Sequence, residues 1–187
     1  NGNLNLNRRT FLTAAAAGPV SALAPALCLA GQGVQYGGDP ESMQGFWEMP
    51  RWVWLKRAAT GKEIRRVYWR DGQLIPGAYE ELSWFLRDLR FERMLEGKDR
   101  RIGQALDRGL ITREHLSPWM LMDPVLLDIL YAHTAWLRFY GINEPLLLTS
   151  ALRHILTNAL TEGAARDSWH TKGGAADMVI PGISPIR

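Results

Sequence analysis

Ser168-Trp169-His170-Thr171-Lys172-Gly173-Gly174-Ala175-Ala176-Asp177 is the stretch that decides how this chain is read. It has the form of half of a catalytic zinc site. A neutral imidazole, His170, and a carboxylate, Asp177, are both good zinc ligands, and a catalytic zinc keeps one position open for water. The two are seven residues apart with Gly173 and Gly174 between them, which suits a turn leading into a strand better than one helical face. Glycines supply the positive φ that such a turn needs. From Ala175 the run Ala-Ala-Asp-Met-Val-Ile reads as a short strand. Ala175, Asp177 and Val179 then share one side, and Ala176, Met178 and Ile180 the other. The small residue at 175 leaves room beside Asp177 for a metal and a substrate. The competing reading is a glycine turn and an edge strand with one exposed Asp, because short motifs match by chance.

Just upstream, Leu146-Leu147-Leu148-Thr149-Ser150 is a short apolar run that predicts a strand in the middle of a sheet. It delivers Arg153 to its C-terminal edge. If the two strands are neighbours, Arg153 lies near His170 and Asp177. Its guanidinium could then bind a peptide carboxylate through paired hydrogen bonds, or support an oxyanion. A structural Arg paired with a local acid is the alternative. Ser150, Asn158 and Ser168 are supporting residues; Asn158 and Ser168 are expected to brace the loop by hydrogen bonds. Ser168 is no nucleophile, since no Asp-His relay surrounds it and His170 is committed to the metal. His154 is expected on a loop, exposed.

The rest of the chain supplies a scaffold. Arg51–Lys56 and Glu63–Trp69, separated by a glycine-bearing turn and closed by Asp71-Gly72, predict a hairpin. Trp52, Trp54 and Trp69 could line a glycan-binding face, but packing on neighbouring strands is the expectation. Ala78 to Phe91 carries Leu82, Phe85, Leu86 and Leu89 at helical spacing. The charged segment from Arg93 to Arg108 reads as a solvated helix and loop, and His115 as a surface histidine. Asp123-Pro124 opens a second helix, with Asp as cap and Pro in the first turn, and Gly141 ends it. Its apolar stripe is Leu126, Ile129, Leu130, His133, Leu137 and Tyr140, with His133 as a hydrogen-bonded core residue. Together these elements predict an α+β domain with helices packed on a small, mostly antiparallel sheet.

A wider likeness gives the zinc reading weight. Ser168-x-His170-x-x-Gly173-x-Ala175-x-Asp177 resembles the signature of zinc peptidases related to D-alanyl-D-alanine carboxypeptidases, with the hedgehog/DD-peptidase fold. Thr149-Ser150-Ala151-Leu152-Arg153-His154-Ile155-Leu156-Thr157-Asn158 resembles the Ser-Gly-Tyr-Arg…Asn segment of the same group. Within it the YcbK-like murein endopeptidases are most similar, over roughly residues 50–92 and 122–183, with specific motifs from 149 onward. The resemblance implies Zn²⁺ held by His170 and Asp177. It also implies a substrate or transition-state role for Arg153, and hydrolysis of amide bonds in peptidoglycan stem peptides or cross-links. Two departures stand out. Ala151 and Leu152 replace the usual glycine and aromatic residue. The family's third ligand is a histidine well after the Asp, and no histidine follows His170 here. The third ligand and the general base are therefore expected beyond Arg187, and a piece ending there is expected to be inactive. The alternatives are a degenerate cell-wall-binding module and a structural component of an envelope machine.

Composition sets bounds on this reading. With 187 residues, 47% of them hydrophobic, the chain can bury the core of one domain. The formal net charge is +3 from 22 basic and 19 acidic side chains; two of the basic ones, Arg8 and Arg9, fall in the leader, leaving 20 against 19. That balance gives no cationic footprint for nucleic acid. Cys28 is the only cysteine, so disulfides and a cysteine nucleophile are excluded from the rest of the chain. Asn7-Arg8-Arg9-Thr10-Phe11-Leu12 and the alanine-rich run after it resemble a twin-arginine export signal. Gly18, Pro19 and Pro25 make that run a poor membrane span, so membrane contact is expected only through an uncleaved signal. The expected organisation is a signal segment at 1–31, a linker at 32–50 and a peptidase-like domain at 51–187. Within that domain 93–121 reads as an insertion and the C-terminal part as missing. The expected location is the periplasm.

Overall fold

The strand β1, Arg51–Arg57, alternates by burial: Arg51, Val53, Leu55 and Arg57 face a core, and Trp52, Trp54 and Lys56 face away. This period of two is what one covered sheet face requires. The computed structural model describes residues 40–180, with side chains from residue 44 onward. Within it β1 pairs antiparallel with β2, Glu63–Arg70, through the turn in which Gly61 takes φ +70°. Asp71 and Gly72 both have positive φ, the geometry of a tight hairpin turn, and lead into the two-residue strand β3, Gln73–Leu74. Chain crossover then places β4, Leu146–Ser150, parallel to β1, and β5, Asp177–Val179, antiparallel to β4. The sheet order is β3-β2-β1-β4-β5. Three of its four pairings are antiparallel and β4 is an inner strand, as the apolar run predicts.

Helices cover one side. α1 is Pro40–Glu48, α2 Pro76–Phe85, α3 Leu89–Glu96, α4 Arg100–Asp107, α5 Pro124–Phe139 and α6 Ile155–Ala159. Val53, Leu55, Ile64, Tyr68, Leu146 and Leu148 from the sheet meet Leu82, Leu86, Leu126, Leu127, Leu130 and Leu137 from α5 and the α2 region. Arg51 enters this core only because it is paired: its guanidinium meets Asp128 at 2.9 Å, and the Tyr68 hydroxyl donates to the same carboxylate at 2.8 Å. On the opposite face Trp52 lies under Arg65, ring centroid 4.5 Å from the guanidinium carbon, and Trp54 donates to Glu63. Trp52 and Trp69 also pack against the edge of the core, so these rings are used in packing. The fold is therefore α+β with helices on a small sheet. No helix among the described residues is long and apolar enough to cross a membrane.

Several expectations need correction. The single helix expected over 78–91 is two, because Asp88 accepts hydrogen bonds from the backbone N–H groups of Arg90 and Phe91 and starts α3 afresh. The stripe of α5 is rotated: Ile129 and Tyr140 are exposed, while Tyr131 and Thr134 are buried. The cause is α1, whose Phe46 ring stacks on Tyr131 with centroids 4.8 Å apart. α1 falls in the segment read as a linker; residues 32–39 of that segment, and the signal at 1–31, lie outside the described residues. His133 is hydrogen-bonded as expected, its Nδ1 2.8 Å from the Ile129 carbonyl, but it is half-buried and lies outside the core in which it was expected. The charged stretch after residue 93 is not only solvated surface. Phe91, Met94, Ile102, Ala105 and Ile111 form a second small core under it.

Candidate metal and substrate site

His170 sits in a 3-10 turn, Trp169–Lys172, rather than in a plain loop. Ser168 opens that turn: its hydroxyl accepts from the His170 N–H at 3.3 Å and its carbonyl from Thr171 at 3.0 Å. Gly173 closes it with φ +72°. Gly174 is needed for a different reason from the one expected. Its φ is not positive, but an added Cβ would stand 2.9 Å from Cε3 of Trp169. The turn docks on the start of α5, where Asp123 N–H donates to the Gly173 carbonyl at 3.0 Å.

β4 and β5 are neighbours, with Ser150 opposite Asp177, so the site residues come together. His170 Nδ1 lies 2.6 Å from the Ala151 carbonyl. A carbonyl only accepts, so Nδ1 carries the proton and a neutral ring keeps its lone pair on Nε2. That Nε2 is 3.4 Å from Asp177 Oδ1. Two acceptors face each other at this distance, which asks for a proton or a cation between them. A charge-assisted hydrogen bond would close to about 2.7–2.9 Å. Two ligands of a tetrahedral zinc, with bonds near 2.0–2.2 Å, stand about 3.3–3.5 Å apart. The observed separation fits the second case, and the imidazole–carboxylate donor set fits zinc. Among the described residues no group of three His, Cys, Asp or Glu side chains gathers around a common point.

Arg153 is half-buried and joins the same cluster. Its Nη2 donates to Asp177 Oδ2 at 2.6 Å and its Nε to Ser150 Oγ at 3.1 Å. The pairing with a local acid is thus present, and the acid is the candidate ligand itself. Asn158 donates through Nδ2 to the Ala165 carbonyl at 2.9 Å. It also lines a cleft of about 420 Å³ with Ile155, Ala159, Ala164, Arg166 and Thr171, next to the turn that carries His170.

His154 does not sit exposed on a loop. It caps α6, accepting from Leu156 N–H, and its ring stacks on Phe91 with centroids 3.5 Å apart. Burial lowers its pKa from the ordinary 6.5, and its Nε2 lies 2.9 Å from the His115 carbonyl. Both its ring nitrogens are engaged with backbone groups, so it is no substitute ligand. Two contributors were missed from sequence. One is the Ala151 carbonyl, which has no side-chain signal. The other is Asp88, buried, whose Oδ2 accepts from His154 N–H at 2.8 Å and from the Thr157 hydroxyl. An Asp just ahead of a helical run was the available signal.

Residues 106–187 match the family described as Peptidase M15. The chain is also similar to the peptidoglycan L,D-endopeptidase MepK of Escherichia coli (strain K12), 29% identical over 139 residues, covering 72% of this chain and 61% of the relative. Residues 106–187 are thus similar to the M15 peptidases. The M15 match contains Ser150, Arg153, Asn158, Ser168, His170 and Asp177. The same identity and coverage hold for the proteins of that name in Escherichia coli O157:H7 and Shigella flexneri. The chain spans about three fifths of the length of these curated relatives. No solved structure matches.

Proposed function

We propose that this M15-type protein is a zinc-dependent peptidase that hydrolyses amide bonds in peptidoglycan stem peptides or cross-links. The observation that carries the reading is the His170 Nε2–Asp177 Oδ1 approach of 3.4 Å, with Nδ1 already committed to a carbonyl. The named relatives are peptidoglycan endopeptidases, which supports the substrate class. The twin arginine at Arg8-Arg9 supports export to the periplasm, where that substrate lies.

Each residue has a task in this reading. His170 presents Nε2, its ring fixed by the Ala151 carbonyl. Asp177 supplies the second ligand from the start of β5. A bound zinc supplies an acidified water and polarises the scissile carbonyl. Arg153 keeps its Nη1 free of hydrogen bonds to the described residues, so it can hold a peptide carboxylate or the developing oxyanion. The cleft beside α6, with exposed Arg166 at its wall, receives part of the acidic stem peptide. The third ligand and the general base are assigned to no described residue. Ala151 and Leu152, which depart from the family pattern, are both buried in the core, so the departure is absorbed by packing.

The test is digestion of cross-linked muropeptides by the full-length protein, with products identified by mass. The expected result is hydrolysis that stops on chelation, returns with zinc and falls to background in His170→Ala and Asp177→Ala. Binding of peptidoglycan without any cleavage under zinc would instead establish the degenerate cell-wall-binding module.

A further inference from the structure

The two candidate ligands are held very differently. His170 has only 12% of its side chain exposed and its ring is locked on Ala151. Asp177 has 49% of its side chain exposed, and it stands on a three-residue strand at the sheet edge. Left alone, a half-exposed carboxylate rotates freely about its last torsion and samples many directions. Its observed direction is set by one neighbour. Arg153 Nη2 takes Oδ2 at 2.6 Å, which leaves Oδ1 turned to His170.

Arg153 is itself tied at three points. Nε donates to Ser150 Oγ, Nη2 donates to Asp177, and its backbone N–H donates to the His170 carbonyl at 3.0 Å. Ser150 is also the residue opposite Asp177 in the β4–β5 register. One residue therefore references both halves of the pair to each other. Resting on the zinc reading above, we propose that Arg153 is a positioning residue for the metal: braced by Ser150, it aims Asp177 at the cation that His170 also faces.

Electrostatics makes this proposal testable by sign. A guanidinium beside a ligand carboxylate repels a divalent cation and competes for its lone pairs. If Arg153 served only the substrate, its removal would leave zinc affinity unchanged or raise it. If it positions Asp177, its removal lowers affinity, because outer-shell partners of metal ligands contribute about 10–100-fold. Lysine separates charge from geometry. It keeps the positive charge but lacks the planar fork that spans Ser150 and Asp177 together.

The experiment measures Zn²⁺ affinity of the full-length protein by competition with a chromophoric chelator, without substrate. Arg153→Ala and Arg153→Lys are expected to bind zinc about 10–100-fold more weakly. Ser150→Ala is expected to weaken it in the same direction by a smaller factor. Thermal unfolding of the metal-free variants reports whether each still folds; if Arg153→Ala does not, Arg153→Lys and Ser150→Ala decide the matter. Equal or tighter binding in the folded variants overturns the proposal while leaving the zinc reading intact. Failure of the wild-type protein to bind zinc overturns both.

Discussion

At Gly173 two demands meet on one residue. The backbone turns through φ +72°, and a Cβ would lie 3.3 Å from Met122 Cα, a backbone atom that cannot swing aside. The left-handed conformation alone costs an L-residue about 1–2 kcal/mol. Gly141, with φ +76° and open space around it, carries only that cost. Gly173→Ala should therefore destabilise the protein by about 2–3 kcal/mol and Gly141→Ala by about 1 kcal/mol, read from urea unfolding midpoints. Equal effects would mean that the docking of the turn on residues 121–123 contributes nothing. At this scale the sequence was informative about identity and less so about geometry. The spacing of His170 and Asp177 with two glycines between them was enough to expect their approach. The role of Gly174 was not legible, because it depends on where the Trp169 ring lies. Nor was the Ala151 carbonyl, since any residue would bring one.

The α2–α3 break and the start of α6 share one buried carboxylate. Asp88 caps α3 with Oδ1 and holds the beginning of α6 with Oδ2, through His154 N–H and the Thr157 hydroxyl. Arg57, buried nearby, donates to the carbonyls of Phe85 and Arg87, and burial, followed by the neighbouring Arg87 charge, lowers its pKa to about 10. His154 joins this junction in its neutral form. Desolvation lowers its pKa; the hydrogen bond to His115 and the charge of Asp88 oppose that without cancelling it. The unfolded chain then binds more protons than the folded one just below the ordinary value of 6.5, so the sign is set. The contribution of His154 is fully present above that pH and is lost as pH falls below it. Thermal unfolding of wild type should lose stability relative to His154→Gln between about pH 6.5 and 5. Parallel pH profiles would show that burial does not govern this ring. Helical periodicity found the segments here but not their ends. A run such as Leu82 to Leu89 looks continuous until the tertiary partners of Asp88 are known.

On the scale of the whole molecule, one sheet does most of the arranging. The parallel crossover from β1 to β4 places the C-terminal end of β4 beside β5, and so sets Ser150, Arg153 and Asp177 on one edge. The hairpin of β1 and β2, the apolar run of β4 and the capped start of α5 were all legible, because each is a local pattern in the sequence. The rotated face of α5 was not. Its orientation depends on α1, a short helix from a Gly- and Pro-rich neighbourhood whose stability comes from Phe46 and Trp47 packing on Tyr131. The small core of Phe91, Met94, Ile102, Ala105 and Ile111 was hidden for a similar reason, since dense charge on α3 and α4 masks a few apolar positions on their inner faces.

The central claim is that His170 and Asp177 share one divalent cation. The most direct measurement is anomalous diffraction at the zinc edge from crystals of the full-length protein grown with zinc. The expected result is a single strong peak about 2.0–2.2 Å from both His170 Nε2 and Asp177 Oδ1. A peak bound elsewhere, or His170 and Asp177 in direct hydrogen-bonded contact with no metal between them, would contradict it.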